Sequence, residues 1–112
     1  MELTEQTRRE IEIAKMMGAK LIKDTRIYVY PHDEVPIPFY NHFTPSSLDY
    51  HTDAWIFPVI RKISEMVCPD GWDKNKFNQL RWAVISCPCY TETIKLFIAV
   101  SDFAEWFNNQ NQ

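Results

Sequence analysis

Apolar residues recur at the helical interval in three segments of the chain, and the first of these opens it. Ile13, Ala14 and Met17 fall on one helical face. Thr4 stands where an N-cap is expected, and Gly18 supplies the left-handed residue with which many helices end. The pattern predicts an amphipathic helix from about residue 5 to residue 17.

Two longer apolar faces follow in the second half of the chain. Thr52 can cap a helix whose apolar side is formed by Trp55, Ile56, Val59, Ile60, Ile63, Met66 and Val67. Thr91 can cap a last helix, running to about Asn108, whose apolar side is formed by Leu96, Ala99, Val100, Phe103, Trp106 and Phe107.

Strand signals are shorter and lie between the predicted helices. Residues 21–22 and 27–30 are β-branched and aromatic, and residues 37–40 of a proline-rich segment could pair as an edge strand. Leu80, Trp82 and Val84 alternate with other side chains, which predicts a half-buried strand over residues 79–85. Since the connections are hairpin-length, we expect an α+β fold with a small, mainly antiparallel sheet sandwiched by about three helices in an α-β-α arrangement.

Length and composition favour one domain. The chain has 112 residues, of which 46% are hydrophobic, so it can bury one core but not two. Residues 1–112 are therefore expected to form a single compact domain, frayed only at the last few Asn and Gln residues.

The distribution of charge narrows the classes of partner. The net charge is -3, and residues 31–71 hold six acidic side chains against two basic ones. No basic stripe is available to neutralise phosphates, which disfavours nucleic acid as a partner. No apolar run approaches the ~20 residues of a membrane span, and the N-terminus lacks the pattern of an export signal. Membrane partners are not expected, and the three cysteines agree with a reducing cytoplasm.

Two packing motifs give the chain a resemblance to a known group. The first consists of Tyr50, His51, Thr52, Trp55, Pro58, Val59, Ile60, Lys62 and Ile63, and the second of Ala99, Val100, Phe103, Trp106, Phe107 and Asn108. In both, the chain resembles small uncharacterised proteins encoded by bacteriophages and prophages, of the helix-sheet-helix "phage ABA sandwich" type. That group usually has Ser-Trp-Asp-Trp where this chain has Thr52-Asp53-Ala54-Trp55. The resemblance implies a sandwich fold and a phage accessory gene, and it implies no activity.

The three histidines are the first candidate for chemistry. His32, His42 and His51 share one 20-residue window with Asp33, Glu34, Asp49 and Asp53. Imidazoles and carboxylates together can bind a divalent metal ion or act as an acid and base pair. Their spacing matches no recognised ligand pattern, and polar loop residues commonly cap helices or remain solvated. For His51, the simpler interpretation is that it flanks the N-cap at Thr52 and bonds to backbone.

The cysteines form the second candidate. Cys68, Cys87 and Cys89 could supply three soft ligands to zinc. A single-residue spacer between the last two is unusual for structural zinc, and free cysteines commonly pack as small apolar side chains. With two glycines in the chain, a glycine-rich phosphate loop is not available either. We therefore expect neither a metal ion nor a cofactor.

Aromatic residues around the proline-rich segment have two interpretations. They are Tyr28, Tyr30, Phe39, Tyr40, Phe43 and Tyr50. Stacking on nucleic-acid bases would require interleaved Lys or Arg, whereas the neighbours here are acidic or proline. The rings could instead form a small aromatic core beneath a long loop, with a proline- and tyrosine-rich acidic surface above it that suits protein binding.

Two functions from different classes follow. The first is a non-enzymatic module that binds a host or phage protein, such as an inhibitor or adaptor, with Tyr40, Asp49, Tyr50, His51 and Asp53 as candidate binding residues. The alternative is a small-ligand binder or a metal-dependent enzyme that uses His32, His42, His51 and Asp53.

A second candidate interface lies on the last helix. Ile94, Phe97 and Ile98 fall outside its main apolar face. An exposed apolar strip of this size favours association. We expect either a homodimer through this helix or coverage of the strip by the first helix.

Overall fold

Four helices and a three-stranded sheet form the described part of the chain. The computed structural model describes residues 4–31, 41–86 and 93–110, and the side chains of Asp53, Thr93 and Ile94 lie outside that description. In chain order the elements are α1 (Glu5–Met16), β1 (Lys20–Leu21), β2 (Tyr28–Val29), β3 (His42–Phe43), α2 (Asp53–Glu65), α3 (Lys74–Ile85) and α4 (Thr93–Gln110), with a short 3-10 helix (Pro45–Ser47) between β3 and α2. The predicted α+β class is confirmed.

The sheet is small and antiparallel, as predicted. Its strand order is β1-β2-β3, with Leu21 opposite Tyr28 and Tyr28 opposite Phe43. Both Tyr28 and Phe43 are buried, so this face of the sheet points towards the core. The edge strand predicted at residues 37–40 lies outside the described residues.

α1 begins and ends where the sequence predicts. The Thr7 amide donates to Oγ1 of the N-cap Thr4 at 3.0 Å. Gly18, just beyond the helix, has φ of 95°, a conformation that glycine adopts without a steric penalty. Because Ile13 and Ala14 are fully buried, this helix is held chiefly by its apolar side.

The most extensive contact between elements is that of α1 with α4. Three polar links supplement the apolar packing. Arg8 Nη1 forms an ion pair with Glu105 Oε2 at 3.1 Å. Arg9 Nη1 donates to Ser101 Oγ and Asp102 Oδ1, both at 2.7 Å. Asn108 Nδ2 donates to the Glu12 backbone oxygen at 2.8 Å and to its carboxylate at 2.9 Å. These links fix the position of α1 along α4.

An aromatic core lies beneath the loop that precedes α2, in agreement with the second interpretation of the tyrosines. The ring of Trp55 meets those of Phe43 and Tyr50 edge-on, each at a centroid distance of 5.2 Å, and Tyr30 meets Phe43 at 5.4 Å. This edge-to-face geometry is preferred by aromatic pairs. The described aromatic residues of this region therefore stabilise the interior rather than form a surface.

The prediction of a strand at residues 79–85 is wrong, because these residues belong to α3. The Lys76 amide donates to Oδ1 of the N-cap Asp73 at 3.1 Å, which starts the helix. Phe77 and Val84 are buried, and Leu80 is partly buried. The spacings of three, four and seven residues between them are those of a helical face. Trp82, assigned to the buried side of the predicted strand, is 68% exposed.

The predicted second helix is shorter than its apolar pattern. α2 ends at Glu65, so Val67 lies beyond it and is 85% exposed. Thr52 is the N-cap residue, but its Oγ1 donates to the Asp49 carbonyl at 2.7 Å and caps no amide. The prediction of a side-chain cap at Thr52 is therefore wrong.

The apolar strip predicted on the last helix is also corrected. Phe97 is buried, with 5% of its surface exposed, because its ring lies edge-on to that of His51 at 6.5 Å and packs into the core. Ile98 is exposed, and the side chain of Ile94 and the predicted cap Thr91 lie outside the described part. A homodimer through α4 stays a prediction, and Phe97 is not available to it.

Two alanine substitutions distinguish the core from the surface. Phe103→Ala is expected to lower the free energy of unfolding by about 3–5 kcal/mol, since this ring is fully buried against Phe77 and Trp106. Trp82→Ala is expected to change it by about 0.5 kcal/mol or less, since that side chain is mostly exposed. Urea unfolding followed by circular dichroism measures both. Equal losses would contradict the helical assignment of residues 79–85.

Candidate functional site

A buried carboxylate on α1 organises the segment before α2. Glu10 is 2% exposed. Its Oε2 accepts from the Tyr50 amide at 2.6 Å, and its Oε1 accepts from the His51 amide at 3.1 Å. The His51 Nδ1 lies 2.8 Å from the same Oε1. When Glu10 is ionised its carboxylate can only accept, and His51 Nδ1 then carries the proton and donates.

Burial and hydrogen bonding have opposite effects on the pKa of the Glu10 carboxyl group. Burial raises the pKa of this carboxyl group because the charged form loses its hydration. The hydrogen bonds from His51 and Tyr50 act in the other direction, and burial is the larger effect, so the pKa stands above its ordinary value of 4.5. Burial therefore makes ionisation of this carboxyl group costly, and the hydrogen-bond donors around it offset part of that cost.

Tyr50 belongs to the interior, which corrects its assignment as a binding residue. It is 1% exposed, and its hydroxyl donates to that of Tyr30 at 2.8 Å. Burial also raises the pKa of Tyr30 well above the physiological range. The pair satisfies two buried hydroxyl groups, and neither ring is open to a partner.

Asp49 and His51 are the predicted site residues that the structure brings together at the surface. Asp49 Oδ1 lies 3.9 Å from His51 Nε2, and the His51 side chain is 42% exposed. The predicted role of His51, to bond to backbone beside the N-cap, is wrong for its ring, which bonds to Glu10. Tyr40 and His32 lie outside the described residues, as does the side chain of Asp53.

The remaining candidate ligands are dispersed. His42 Nδ1 contacts Asn41 Oδ1 at 2.7 Å on an exposed edge of the sheet. Cys68 is a free thiol, partly buried, while Cys87 and Cys89 lie outside the described part. Among the described residues, no three His, Cys, Asp or Glu side chains are arranged to hold a metal ion.

Sequence reasoning missed Glu10, although a signal was present. Glu10 precedes Ile13, Ala14 and Met17 by three, four and seven residues, so it lies on the apolar face of α1. A carboxylate in that position is buried and must find donors when the helix packs. Its partners lie 40 and 41 residues away, and no local pattern identifies them.

A second feature of functional interest lies on α3. Trp82 and Ile85, three residues apart on one side of this helix, are 68% and 44% exposed. We call this pair the α3 face. Its helix carries Lys74, Lys76 and Arg81 and no acidic residue.

Comparisons with protein-family models, with curated proteins and with solved structures give no match to this chain. None of the helices in the described ranges combines the length and the apolar composition that crossing a membrane requires. The site therefore has to be interpreted from its own geometry.

The pH dependence of stability tests the environment of Glu10. A pKa that is higher in the folded state than in the unfolded state means that folding takes up a proton. The stabilisation from Glu10 is then complete below about pH 4.5 and is lost as the pH rises through its folded pKa. Glu10→Gln removes this titration. The wild type should therefore become more stable relative to the variant as the pH falls.

Chemical denaturation at a series of pH values measures this difference. Glu65→Gln is the matched control. Glu65 is exposed, and its ion pair with Arg61, at 3.4 Å, lies at the surface, where such pairs contribute little to stability. A difference between wild type and Glu10→Gln that is independent of pH, or that shifts against wild type on acidification, would contradict the raised pKa.

Proposed function

We propose that this chain is a non-enzymatic protein-binding module, and that it docks on a host or phage protein in the bacterial cytoplasm through the α3 face. The phage origin and the cytoplasmic setting rest on the sequence resemblance and on the composition. The docking surface rests on the exposure of Trp82, which is the observation that carries the proposal.

Exposed tryptophan is a strong indicator of a protein interface. Trp82 projects from a regular helix and keeps 68% of its surface in solvent, while Ile85 extends the apolar area by one turn. Tryptophan residues are enriched among those that dominate binding energies, because one large rigid ring fills a pocket at little entropic cost. Burial of this ring by a partner would remove from water the largest exposed aromatic surface of α3.

Charge favours a particular kind of partner. Lys74 and Lys76 lie in the first turn of α3 and make no ion pair within the described residues. The Arg81 guanidinium group instead donates to the Met66 carbonyl at 2.8 Å, which anchors α3 to the segment after α2. A partner that fits this helix offers an apolar pocket for Trp82 and carboxylates that reach the first turn of α3, since complementary charge guides association.

The buried cluster supports a binding role rather than a catalytic one. Both carboxylate oxygens of Glu10 accept hydrogen bonds from the Tyr50–His51 segment, and Tyr50 is buried with Tyr30. These groups satisfy one another inside the fold. A catalytic acid or base has to reach a substrate, and Glu10 is 2% exposed.

Substitution of Trp82 tests the docking surface. The tagged chain is used to capture proteins from a bacterial host lysate, and each captured protein is then purified and titrated calorimetrically against the chain. Trp82→Ala should weaken a genuine complex by at least about 2 kcal/mol, as expected for a central tryptophan. Because this substitution is expected to leave folding intact, the loss reports on contact with the partner.

Ile98→Ala is the matched control, since Ile98 is an exposed apolar residue of α4, on a different helix. It should leave the affinity unchanged. If a purified partner bound wild type and Trp82→Ala equally, the α3 face would not be the docking surface. Weakening by Ile98→Ala alone would place the interface on α4.

A further inference from the structure

A cleft separate from the α3 face opens between α1, the β1–β2 hairpin and the 3-10 helix. Its volume is about 640 Å³. Small-molecule sites in proteins commonly have volumes of a few hundred to about 1,000 Å³. The cleft is therefore large enough for an organic ligand.

The floor of the cleft is apolar for reasons set by the sheet register. Leu21 lies opposite Tyr28 across the β1–β2 ladder, so their side chains share one face of the sheet. Ile11 of α1 lines the same cleft and is buried, as is Tyr28. Leu21 remains 53% exposed, because nothing in the described part of the chain closes the cleft above it.

The rim of the cleft carries one cation held by an ordered turn. The Ile22 amide donates to the Ile27 carbonyl at 2.9 Å, and the Thr25 amide and hydroxyl both donate to the Ile22 carbonyl, at 3.1 and 2.8 Å. These bonds fix the turn that contains Arg26. Arg26 is the single charged side chain among the described lining residues, and it makes no ion pair with any described residue.

Hydroxyl groups complete the rim. The Thr4 hydroxyl donates to Thr7 Oγ1 at 2.8 Å, which leaves the Thr7 hydroxyl its own proton to donate. Thr7 and Arg26 both line the cleft. A guanidinium group and a hydroxyl donor beside an apolar floor recognise an anionic group attached to an apolar body.

We propose that this cleft binds a small organic anion, with its apolar chain or ring against Ile11, Leu21 and Tyr28 and its carboxylate or phosphate on Arg26. The site is independent of docking through the α3 face. The anionic group can be a carboxylate or a phosphate, because a guanidinium fork pairs with either.

NMR titration of the isotope-labelled full chain tests the proposal with defined probes. The probes are octanoate and octyl phosphate, with octanol as their uncharged counterpart and inorganic phosphate as the headgroup alone. At least one anionic probe should bind saturably with a Kd on the order of 1 mM or below, shifting the amide signals of residues 7, 21, 26 and 28. Comparison of the two anionic probes identifies the preferred headgroup.

Substitutions of Arg26 and Lys23 distinguish binding in the cleft from nonspecific electrostatic attraction. Arg26→Gln should weaken the preferred anion about tenfold and leave octanol unchanged, since it removes one charge-assisted contact. Lys23→Gln is the matched control: it removes a charge from the same hairpin at a residue that does not line the cleft, and it should have no effect. Leu21→Ser, at an exposed position, should weaken octanoate and octanol together.

Three results would overturn the proposal. In the first, no anionic probe saturates. In the second, Arg26→Gln and Lys23→Gln weaken binding equally, which would indicate general electrostatic attraction. In the third, inorganic phosphate binds as tightly as octyl phosphate, which would show that the apolar floor takes no part.

Discussion

The burial of the Glu10 carboxylate is the constraint on which the arrangement of this chain depends. A carboxylate removed from water requires donors, and the fold supplies the amides of Tyr50 and His51 together with the His51 ring. The segment that enters α2 must therefore pass directly over α1. Trp55, at the start of α2, then meets Phe43 and Tyr50, which brings the sheet and both helices into one aromatic core.

α1 is consequently the element that the others share. Glu10 connects it to the entry of α2, Arg9 connects it to α4 through Ser101 and Asp102, and Ile11 contributes to the floor of the cleft. Successive residues of a helix point in directions about 100° apart, so three neighbouring residues can contact three different parts of the structure. This explains why a helix with a narrow apolar face has so much of its surface in contact.

The proposed binding surfaces differ from this core in their chemistry. The carboxylate of Glu10 and the hydroxyl groups of Tyr30 and Tyr50 are bonded to other residues of the chain inside the fold. The helix α3 and the cleft instead carry groups without ion-pair partners among the described residues, namely Lys74, Lys76 and Arg26. A protein that uses carboxylates and tyrosines to hold its interior retains apolar and basic groups for recognition, although its net charge is negative.

The sequence predicts the elements whose signal is local and fails where long-range packing decides. α1 follows from apolar periodicity and a capping residue, and the buried side of α2 follows from apolar periodicity alone. In α3, Leu80 and Val84 are compatible with both a period of two and a helical face, and the exposure of Trp82 in the fold identifies the helical one. Glu10 could be identified as buried from its position, but its partners could not, since the contact spans 40 residues.

The central claim is that the Glu10 carboxylate itself holds the Tyr50–His51 segment, and an NMR titration of that carboxyl carbon tests it most directly. We expect the Glu10 carbon to titrate with a pKa above the ordinary 4.5, and the amide protons of Tyr50 and His51 to shift with the same midpoint. If the Tyr50 and His51 amide signals stayed unmoved while the Glu10 carbon titrated, the account would be contradicted.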